Sequence, residues 1–282
     1  MEKASNFCFL SYNEKMKFVR FVSQFTFFTK GKEKFLIELE KNFQLIGNRG
    51  PTTVATPNPE QLIQAWENPE FASILKKFDY LLPDGVGLVW LSQTKPQLPP
   101  IQQKIAGIDV VSDLLALALK QNWRVLVLGG RGYENTFFKI DSKQVKLINI
   151  KTKTDLENLN SSHESQLFWL AGFQDFNRPT PVEKSLLTES LQKLRVDLIF
   201  VAFGAPKQEL WIQENLSLLK SARPKLIMAV GGSFDILLGK LPRAPKIFRS
   251  LNLEWLWRLI LQPTRIKRQL RLIKFVWLSL MG

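Results

Sequence analysis

The sequence predicts an α/β protein built on a Rossmann-like, mostly parallel sheet with helices on both faces. Three observations predict this class. Short apolar runs alternate with amphipathic segments, several runs are of the fully buried type, and most of them end in turn-forming residues such as Gly-Gly or Pro-Asp-Gly. Apolar strands that alternate with helices are typical of a parallel sheet whose two faces are covered.

The predicted elements follow one another in a regular order after an aromatic-rich stretch at residues 18–28. Strands are expected at 54–56, 80–82, 124–128, 144–150, 167–171, 197–203 and 225–230. Helices are expected at 32–43, 59–78, 109–121, 182–194 and 206–219. The composition changes after Gly239. We therefore expect an N-terminal extension and helix over 1–50, a Rossmann-like catalytic domain over 51–240 and a basic C-terminal appendage over 241–282.

The charge of the chain predicts a phosphate-rich partner. Its 282 residues carry a net charge of +14, and the forty residues from Arg243 onwards hold nine Lys or Arg and one acid, Glu254. Such an excess suits nucleic acid, anionic lipid or a phosphorylated substrate.

Cys8 and His163 are the single cysteine and the single histidine of the sequence. An intrachain disulfide and a His-cluster metal site are therefore excluded, and acid–base chemistry is expected to rest on carboxylates. His163 lies in a polar stretch and is expected at the surface.

No apolar run reaches the length of a spanning helix, and the N-terminus lacks the pattern of a signal peptide. We expect a cytoplasmic protein that is peripheral on the membrane, if it binds membrane.

Five predicted strands end in residues that suit ligand binding. In open α/β sheets, ligands bind beyond the carboxyl ends of the strands. The five ends are Thr56-Pro57-Asn58, Pro83-Asp84-Gly85, Gly129-Gly130, the stretch from Phe203 to Glu209, and Gly231-Gly232-Ser233-Phe234-Asp235.

Two aspartates at helix starts have competing interpretations. Asp84 lies between Pro and Gly directly after a strand, so it is either a rigidly held general base or the cap of the next helix. Asp109 begins a helix, where capping is the stronger interpretation. Asp197 stands at the start of a strand, away from the ligand edge, and is expected to be structural.

Two further strand ends could bind phosphate or a nucleoside. Gly129-Gly130 either lets backbone amides approach a diphosphate at a helix N-terminus or forms a tight turn. Lys207 could contact phosphate, while Gln208 and Glu209 could bond a base or ribose. The alternative for these three residues is an ordinary solvated first turn.

The C-terminal segment has the pattern of an amphipathic helix. Apolar residues recur with 4-3-4-3 spacing at Ile266, Leu270, Ile273, Trp277 and Leu280. The basic residues Lys267, Arg271 and Lys274 lie along one flank. The pattern suits a helix lying on an anionic membrane, and it equally suits one packed on the core or on another subunit of a homo-oligomer.

Taken together, these segments resemble the WecG/TagA/CpsF glycosyltransferase family over residues 52–270. The matching segments are TPNPE, LLPDGVGLVW, GID, VLVLGG, DLIFVAFGAPKQELWI, VGGSFDILLGKLPRAP and LEWLWRLILQPTRIKR. The resemblance implies inverting, metal-independent transfer of an N-acetylhexosamine, typically N-acetylmannosamine or its uronic acid. The implied donor is a UDP-sugar, and the implied acceptor is a sugar on undecaprenyl diphosphate. No cofactor and no nucleic-acid partner are implied.

The resemblance also assigns roles to individual residues. It places the base on Asp84, a catalytic threonine on Thr56, and cations of the site on the appendage. The substrate-binding set that we expect comprises Asn58, Lys104, Asp109, Gly129, Gly130, Lys207, Gln208, Glu209, Gly232, Asp235, Arg243, Arg258, Arg265 and Arg268. Lys104 stands where the family often has arginine, which preserves the charge but not the bidentate fork. Residues 150–175 also depart from the family pattern.

Two rival classes explain fewer of these residues. A dinucleotide-binding oxidoreductase would need a GxGxxG motif after its first strand and an acidic residue about 20 positions later, and the sequence lacks this pattern. A non-enzymatic nucleic-acid- or lipid-binding protein would use the charge but would leave Asp84 and the FGAPKQE turn without a purpose.

Overall fold

The computed structural model describes residues 12–44, 50–133, 136–140, 143–159, 167–173 and 178–280. His163 lies outside these ranges, so its surface position stays a prediction. Within them, eight strands form one sheet in the order β2-β1-β8-β7-β3-β6-β5-β4. The strands are β1 (Thr52–Ala55), β2 (Tyr80–Leu81), β3 (Val125–Gly129), β4 (Phe137–Ile140), β5 (Lys143–Asn149), β6 (Leu167–Leu170), β7 (Leu198–Ala202) and β8 (Leu226–Ala229).

The sheet is mostly parallel, as the sequence predicts. Each pairing is parallel except the one at the edge, where β4 runs antiparallel to β5. The central strands are apolar throughout because both faces are covered. In β3, Val125 and Val127 face one apolar core, while Leu126 and Leu128 face the other. The absence of polar alternation in this run follows directly from that double burial.

Helices cover both faces of the sheet. The helices are α1 (Tyr12–Val22), α2 (Lys32–Gln44), α3 (Pro59–Glu67), α4 (Pro69–Leu75), α5 (Val86–Thr94), α6 (Gly107–Lys120), α7 (Lys153–Glu157), α8 (Pro181–Leu194), α9 (Lys207–Glu214), α10 (Leu216–Ser221), α11 (Ser233–Leu237), α12 (Lys246–Ser250), α13 (Glu254–Leu261) and α14 (Ile266–Leu280). One core is formed with α2, α6 and α11, and the other with α1, α3, α4, α8, α9 and α14.

The predicted helix over 59–78 is wrong in one respect, because it is two helices. Pro69 has no N–H to continue α3, and Asn68 ends that helix and caps the next. Its side-chain oxygen accepts hydrogen bonds from the N–H groups of Glu70 and Phe71, at 3.0 and 3.2 Å. The predicted helix over 206–219 is likewise divided, into α9 and α10. Helix α5 and strand β4 were not predicted.

The topology brings the five strand ends of interest to one edge of the sheet. They follow β2, β1, β8, β7 and β3, which are five consecutive neighbours. Parallel strands point the same way, so their carboxyl ends meet. We call the region bounded by the loops after these five strands the strand-end cleft.

Candidate active site

Asp84 lies in the strand-end cleft, three residues after the end of β2. Its backbone N–H donates to the carbonyl of Pro57, 3.1 Å away, which joins the loops after β1 and β2. The carboxylate accepts the backbone N–H of Gly107, and the residue is half-buried. It does not cap α5, because the residue at that cap position is Gly85. Of the two interpretations of Asp84, the structure therefore disfavours capping.

The surroundings of Asp84 adjust its proton affinity. The pKa of the Asp84 carboxyl is raised to about 6, mainly by burial and to a smaller extent by the charge of Glu254. The charges of Arg258 and Lys104 and the N–H of Gly107 act in the opposite direction. A carboxyl with a pKa near the working pH is ionised in neutral solution yet still able to take up a proton, as a general base must.

Thr56 packs against the same glycine that donates to Asp84. A Cβ built on Gly107 would lie 3.1 Å from Oγ1 and 3.2 Å from Cγ2 of Thr56. The first turn of α6 can therefore approach β1 closely only because residue 107 is glycine. The threonine side chain and the aspartate carboxylate thus both contact Gly107, the first residue of α6.

Two cations from different parts of the chain face this carboxylate. Nζ of Lys104 lies 3.3 Å from Oε2 of Glu254, at the start of α13. Arg258 lies one turn further along α13, close enough to Asp84 to lower its pKa. Lys104 occupies the position where the family often has arginine, and it ties α13 to the cleft. The appendage thus contributes one negatively charged residue, Glu254, and one positively charged residue, Arg258, to the surroundings of Asp84.

Asp109, in the first turn of α6, forms an ion pair with Arg243. Arg243 Nη2 donates to Oδ1 of Asp109. The cap position of α6 is Ala106, and Asp109 lies inside the first turn. The capping interpretation of Asp109 is therefore wrong, since its side chain bonds Arg243 from the loop before α12.

A second acidic group lies beyond β8, where Gly232 caps α11 and Asp235 follows in its first turn. The hydroxyl of Tyr133 donates to Oδ1 of Asp235, 2.8 Å away. Lys240 Nζ stands 4.7 Å from the centre of the Tyr133 ring. Burial and Asp235 both raise the pKa of Tyr133, so it is a neutral donor. Sequence reasoning missed Tyr133, and the signal was its place directly after the Gly-rich turn.

The Gly129-Gly130 turn does not precede a helix among the residues that are described. The chain continues irregularly to Tyr133 and then to strand β4. The predicted helix N-terminus at this turn is therefore wrong. Both glycines have positive φ angles, of 89° and 80°. A Cβ at Gly130 would come within 2.2 Å of the Tyr133 ring, so the turn is required for packing. A substrate contact by these glycines stays a prediction.

Gln208 and Glu209 are buried at the start of α9, whereas Lys207 is exposed. The Gln208 side-chain oxygen accepts the N–H groups of Gly204 and Gly231, at 3.2 and 2.9 Å. Its amide donates to Oε1 of Glu209 at 2.8 Å. Gln208 therefore fastens the loop after β7 to the loop after β8. The solvated-turn interpretation is wrong for these two residues.

Glu209 extends this network to the loop after β1. Its Oε1 also accepts from the side-chain amide of Gln61, at 3.2 Å. Gln61 in turn forms a reciprocal capping box with Asn58, which fixes the predicted site residue Asn58 at the start of α3. Glu209 has no exposed surface, and its Oε2 accepts no hydrogen bond from the described residues. The structure thus places Glu209 beneath the cleft, where it supports three loops.

A Glu209→Gln variant is expected to alter the pH dependence of stability. Burial raises the pKa of Glu209 from 4.5 to about 7, so the folded protein holds this proton more tightly than the unfolded chain. This contribution to the free energy of unfolding is complete below about pH 4.5 and is lost as the pH rises to about 7. The full loss is about 3 kcal/mol. Glutamine keeps the shape and does not titrate.

Urea unfolding at about pH 5 and about pH 8 measures this effect. We expect the wild type to lose stability over the interval relative to Glu209→Gln, which should therefore become the more stable protein at the higher pH. The matched control is Glu214→Gln, at an exposed residue of the same helix. Its free energy of unfolding should change with pH as that of the wild type does. Parallel curves for the wild type and Glu209→Gln would contradict the raised pKa.

The C-terminal helix α14 packs on the core with one face only. Phe275 and Leu278 are fully buried. Lys274 and Arg271 lie 2.6 and 3.8 Å from the carboxylate of Glu67 in α3. Two of the flanking bases therefore hold the helix on the domain. Arg268 is exposed, and the side chain of Arg265 is outside the described part. Contacts of both arginines with substrate stay predictions.

The opposite face of α14 is left uncovered. Its exposed apolar residues are Ile266, Leu270, Ile273, Val276 and Leu280. Four of them belong to the predicted apolar stripe, while Trp277 is half-buried. The helix therefore packs on the core, as one interpretation predicts, and the apolar stripe itself faces outwards. Docking of that stripe on a membrane or on another subunit stays a prediction.

These features define the class of protein. A carboxylate that can take up a proton stands among cations at the ligand edge of a parallel sheet, as suits an enzyme that deprotonates one substrate while binding an anionic second one. Residues 36–281 match the description of the glycosyl transferase WecG/TagA/CpsF family, and the chain belongs to this family. It is a glycosyltransferase. This membership argues against the two rival classes, a dinucleotide-binding oxidoreductase and a non-enzymatic binding protein.

Two curated relatives are similar over most of their length. An N-acetylglucosaminyldiphosphoundecaprenol N-acetyl-beta-D-mannosaminyltransferase of Bacillus subtilis strain 168 is 30% identical over 241 residues, covering 86% of this chain and 83% of the relative. A protein of the same name from Bacillus spizizenii strain W23 is 30% identical over 255 residues, covering 90% and 88%.

Proposed function

We propose that this glycosyltransferase moves an N-acetylhexosamine from a UDP-sugar to a sugar carried on undecaprenyl diphosphate, in the synthesis of a cell-surface polysaccharide. N-acetylmannosamine or its uronic acid is the proposed sugar. The observation that carries the proposal is Asp84, a partly buried carboxylate near the charges of Arg258 and Lys104 at the ligand edge of the sheet. The names of the two relatives supply the substrate class.

The proposed reaction is a single displacement with inversion. Asp84 removes the proton from the acceptor hydroxyl as that oxygen attacks the anomeric carbon of the donor. The bond from this carbon to the UDP oxygen breaks, and UDP leaves with the bonding electron pair. The proposed role of Thr56, which packs against the N-terminus of α6, is to orient a substrate hydroxyl. Preorganised groups of this kind act mainly by matching the charge that develops in the transition state.

The leaving diphosphate needs positive charge, and the chain itself offers it. The proposed cations are Lys104, Lys207, Arg243, Arg258, Arg265 and Arg268. Lys104 and Arg243 are already paired with acids, Glu254 and Asp109. On this proposal, donor binding exchanges or shares those partners. We propose that no metal ion takes part, since side-chain cations can neutralise the same charge.

A donor panel tests the proposed function. The protein is incubated with several UDP-N-acetylhexosamines and a lipid-diphosphate-linked N-acetylglucosamine acceptor, and the product mass is read. We expect the mass of one added N-acetylhexosamine and an unchanged rate in excess chelator. With an α-linked donor, the NMR coupling of the anomeric proton should show the β-anomer in the product. No transfer with any donor would contradict the proposal. Activity that chelator abolishes would contradict its metal independence.

We propose that the uncovered face of α14 docks on the anionic inner surface of the plasma membrane. No described helix is both long and apolar enough to cross a bilayer. Helix α13, which precedes α14 in the chain, also has exposed apolar residues, namely Trp255, Ile260 and Leu261. A helix with one apolar face and nearby basic residues is suited to lie in the interface of an anionic membrane.

Flotation with lipid vesicles tests this docking. The wild type is expected to bind vesicles that contain phosphatidylglycerol, more weakly at high salt, and to bind pure phosphatidylcholine poorly. A Leu270→Ser, Ile273→Ser double variant should lose about 10-fold or more in vesicle affinity, because it removes two apolar groups from the contact. Val182→Ser, at a residue 73% exposed on α8, is the control. Equal binding of the double variant would contradict the proposal.

A further inference from the structure

The segment from residue 12 to residue 29 precedes the family match, which starts at residue 36. It nevertheless contributes a fully buried aromatic ring. Phe18 of α1 lies between Trp66 of α3 and Phe275 of α14. The ring centres are 5.5 and 5.8 Å away, and both pairs are nearly perpendicular, at 85° and 87°. Edge-to-face packing at these distances is a favourable aromatic contact. Helix α1 thus packs against α14 and covers part of its surface.

From Phe275 the packing continues to the segment that carries Asp84. A Cβ built on Gly87 would lie 3.2 Å from the Phe275 ring and 3.0 Å from Pro59. Gly87 is the second residue of α5 and comes three positions after Asp84. The first turn of α5 therefore rests directly on Phe275. A displacement of α14 would remove the support of that turn.

The same N-terminal segment contacts the chain on the other side of Asp84. Phe27 forms a parallel β-bridge with Leu81 of β2. The N–H of Phe28 donates to the carbonyl of Leu81, at 2.9 Å, and the carbonyl of Thr29 accepts from Gln102, at 3.0 Å. Strand β2 has only two residues and pairs with β1 on its other side. Residues 27–29 therefore cover its edge, three positions before Asp84.

We propose that residues 12–29 form a positioning element, the N-terminal brace, which fixes the Asp84 segment on both sides and keeps α14 docked beside it. Phe18 is its positioning residue and acts through Phe275 and Gly87. The proposal rests on the proposed function, because it assigns the brace to the alignment of the base. Misplacement of a catalytic group by about 1 Å costs about 100-fold in rate, so a loosened brace should reduce turnover.

A Phe18→Ala variant of the full chain tests the brace. We expect kcat to fall about 10-fold or more, with a smaller change in the KM for UDP-sugar, since donor groups on other loops are untouched. Trypsin should cut α14 faster than in the wild type. Phe18→Leu, which keeps an apolar contact, should recover most of both properties. The control is Phe43→Ala, which removes a buried ring from α2, packed on Trp123 in the other core.

A double-variant cycle tests the route through Phe275. If Phe18 acts through that ring, Phe18→Ala combined with Phe275→Ala should reduce kcat little more than Phe275→Ala alone. Additive losses would overturn the route. Equal kcat and equal trypsin resistance of α14 in Phe18→Ala and Phe43→Ala would overturn the brace. If the wild type transfers no sugar, the proposed function fails by itself, and the trypsin comparison still decides whether α1 holds α14.

Discussion

An Asp84→Asn variant is expected to lose about 10²–10⁴-fold in kcat, the contribution of a general base. Asparagine has the same shape and can still accept the N–H of Gly107, but it cannot take the proton of the acceptor hydroxyl. The variant should therefore fold normally and bind UDP as the wild type does. Initial rates with both substrates saturating, together with calorimetric titration of UDP, measure the two properties separately.

The matched control is Asp197→Asn. Asp197 directly precedes β7, at the amino-terminal end of the strand and therefore away from the strand-end cleft. Asp197 accepts the N–H of Arg124 and pairs with Lys225, so this change should affect stability and leave turnover intact. The pH profile gives a second readout. Because the pKa of Asp84 is about 6, the wild-type kcat/KM should fall as the pH drops below that value. Near-normal turnover of Asp84→Asn would refute the assignment of the base.

An Arg258→Gln variant should show the second large effect, a fall of about 10²–10³-fold in kcat/KM. The change removes a cation proposed to face the leaving diphosphate. It also removes the charge that lowers the pKa of the Asp84 carboxyl most strongly. The acid limb of the rate profile should therefore move to higher pH. Rates measured across the pH range report both consequences.

Two further variants isolate the position of this charge. Lys246→Gln removes an exposed cation from α12 and should leave the acid limb where it is. Arg258→Lys keeps the charge without the fork, so it should preserve the acid limb while recovering only part of the rate. An acid limb that stays in place in Arg258→Gln would show that Arg258 does not act on Asp84. Truncation before Arg243 is a poorer test, because it also removes Phe275 and Leu278 from the core.

The convergence of the strand ends could be predicted because it follows from local patterns. A buried strand that ends in Pro-Asp-Gly or Gly-Gly marks a ligand edge, and parallel strands put all such ends on one side. Thr56, Asp84 and Asp235 were predicted in this way to lie near the same edge, and they follow three neighbouring strands, β1, β2 and β8. The partners of these residues were harder to predict. Thr56 contacts Gly107, and Asp235 contacts Tyr133. Each contact joins segments far apart in the chain, and the local pattern of one segment does not indicate which other segment it will meet.

Helix boundaries and side-chain directions show where local patterns are insufficient. A first-turn Glu such as Glu209 is favoured by the helix dipole whether it is solvated or buried, so the sequence does not reveal its burial. The spacing of α14 correctly predicts an apolar stripe. It does not predict that Phe275 and Leu278 form the buried face, because a helix that is apolar on two sides has no unique orientation until it meets α3 and α1.

The placement of β8 between β1 and β7 has a consequence for synthesis on the ribosome. The chain is made from its N-terminus, so β1 and β7 emerge before the strand that joins them. Until residues 226–229 are available, the loop bearing Thr56 and the loop bearing Gln208 belong to separate halves of an incomplete sheet. A nascent chain therefore acquires a substrate-competent cleft only late in translation, and until then β1 presents an unpaired edge to chaperones.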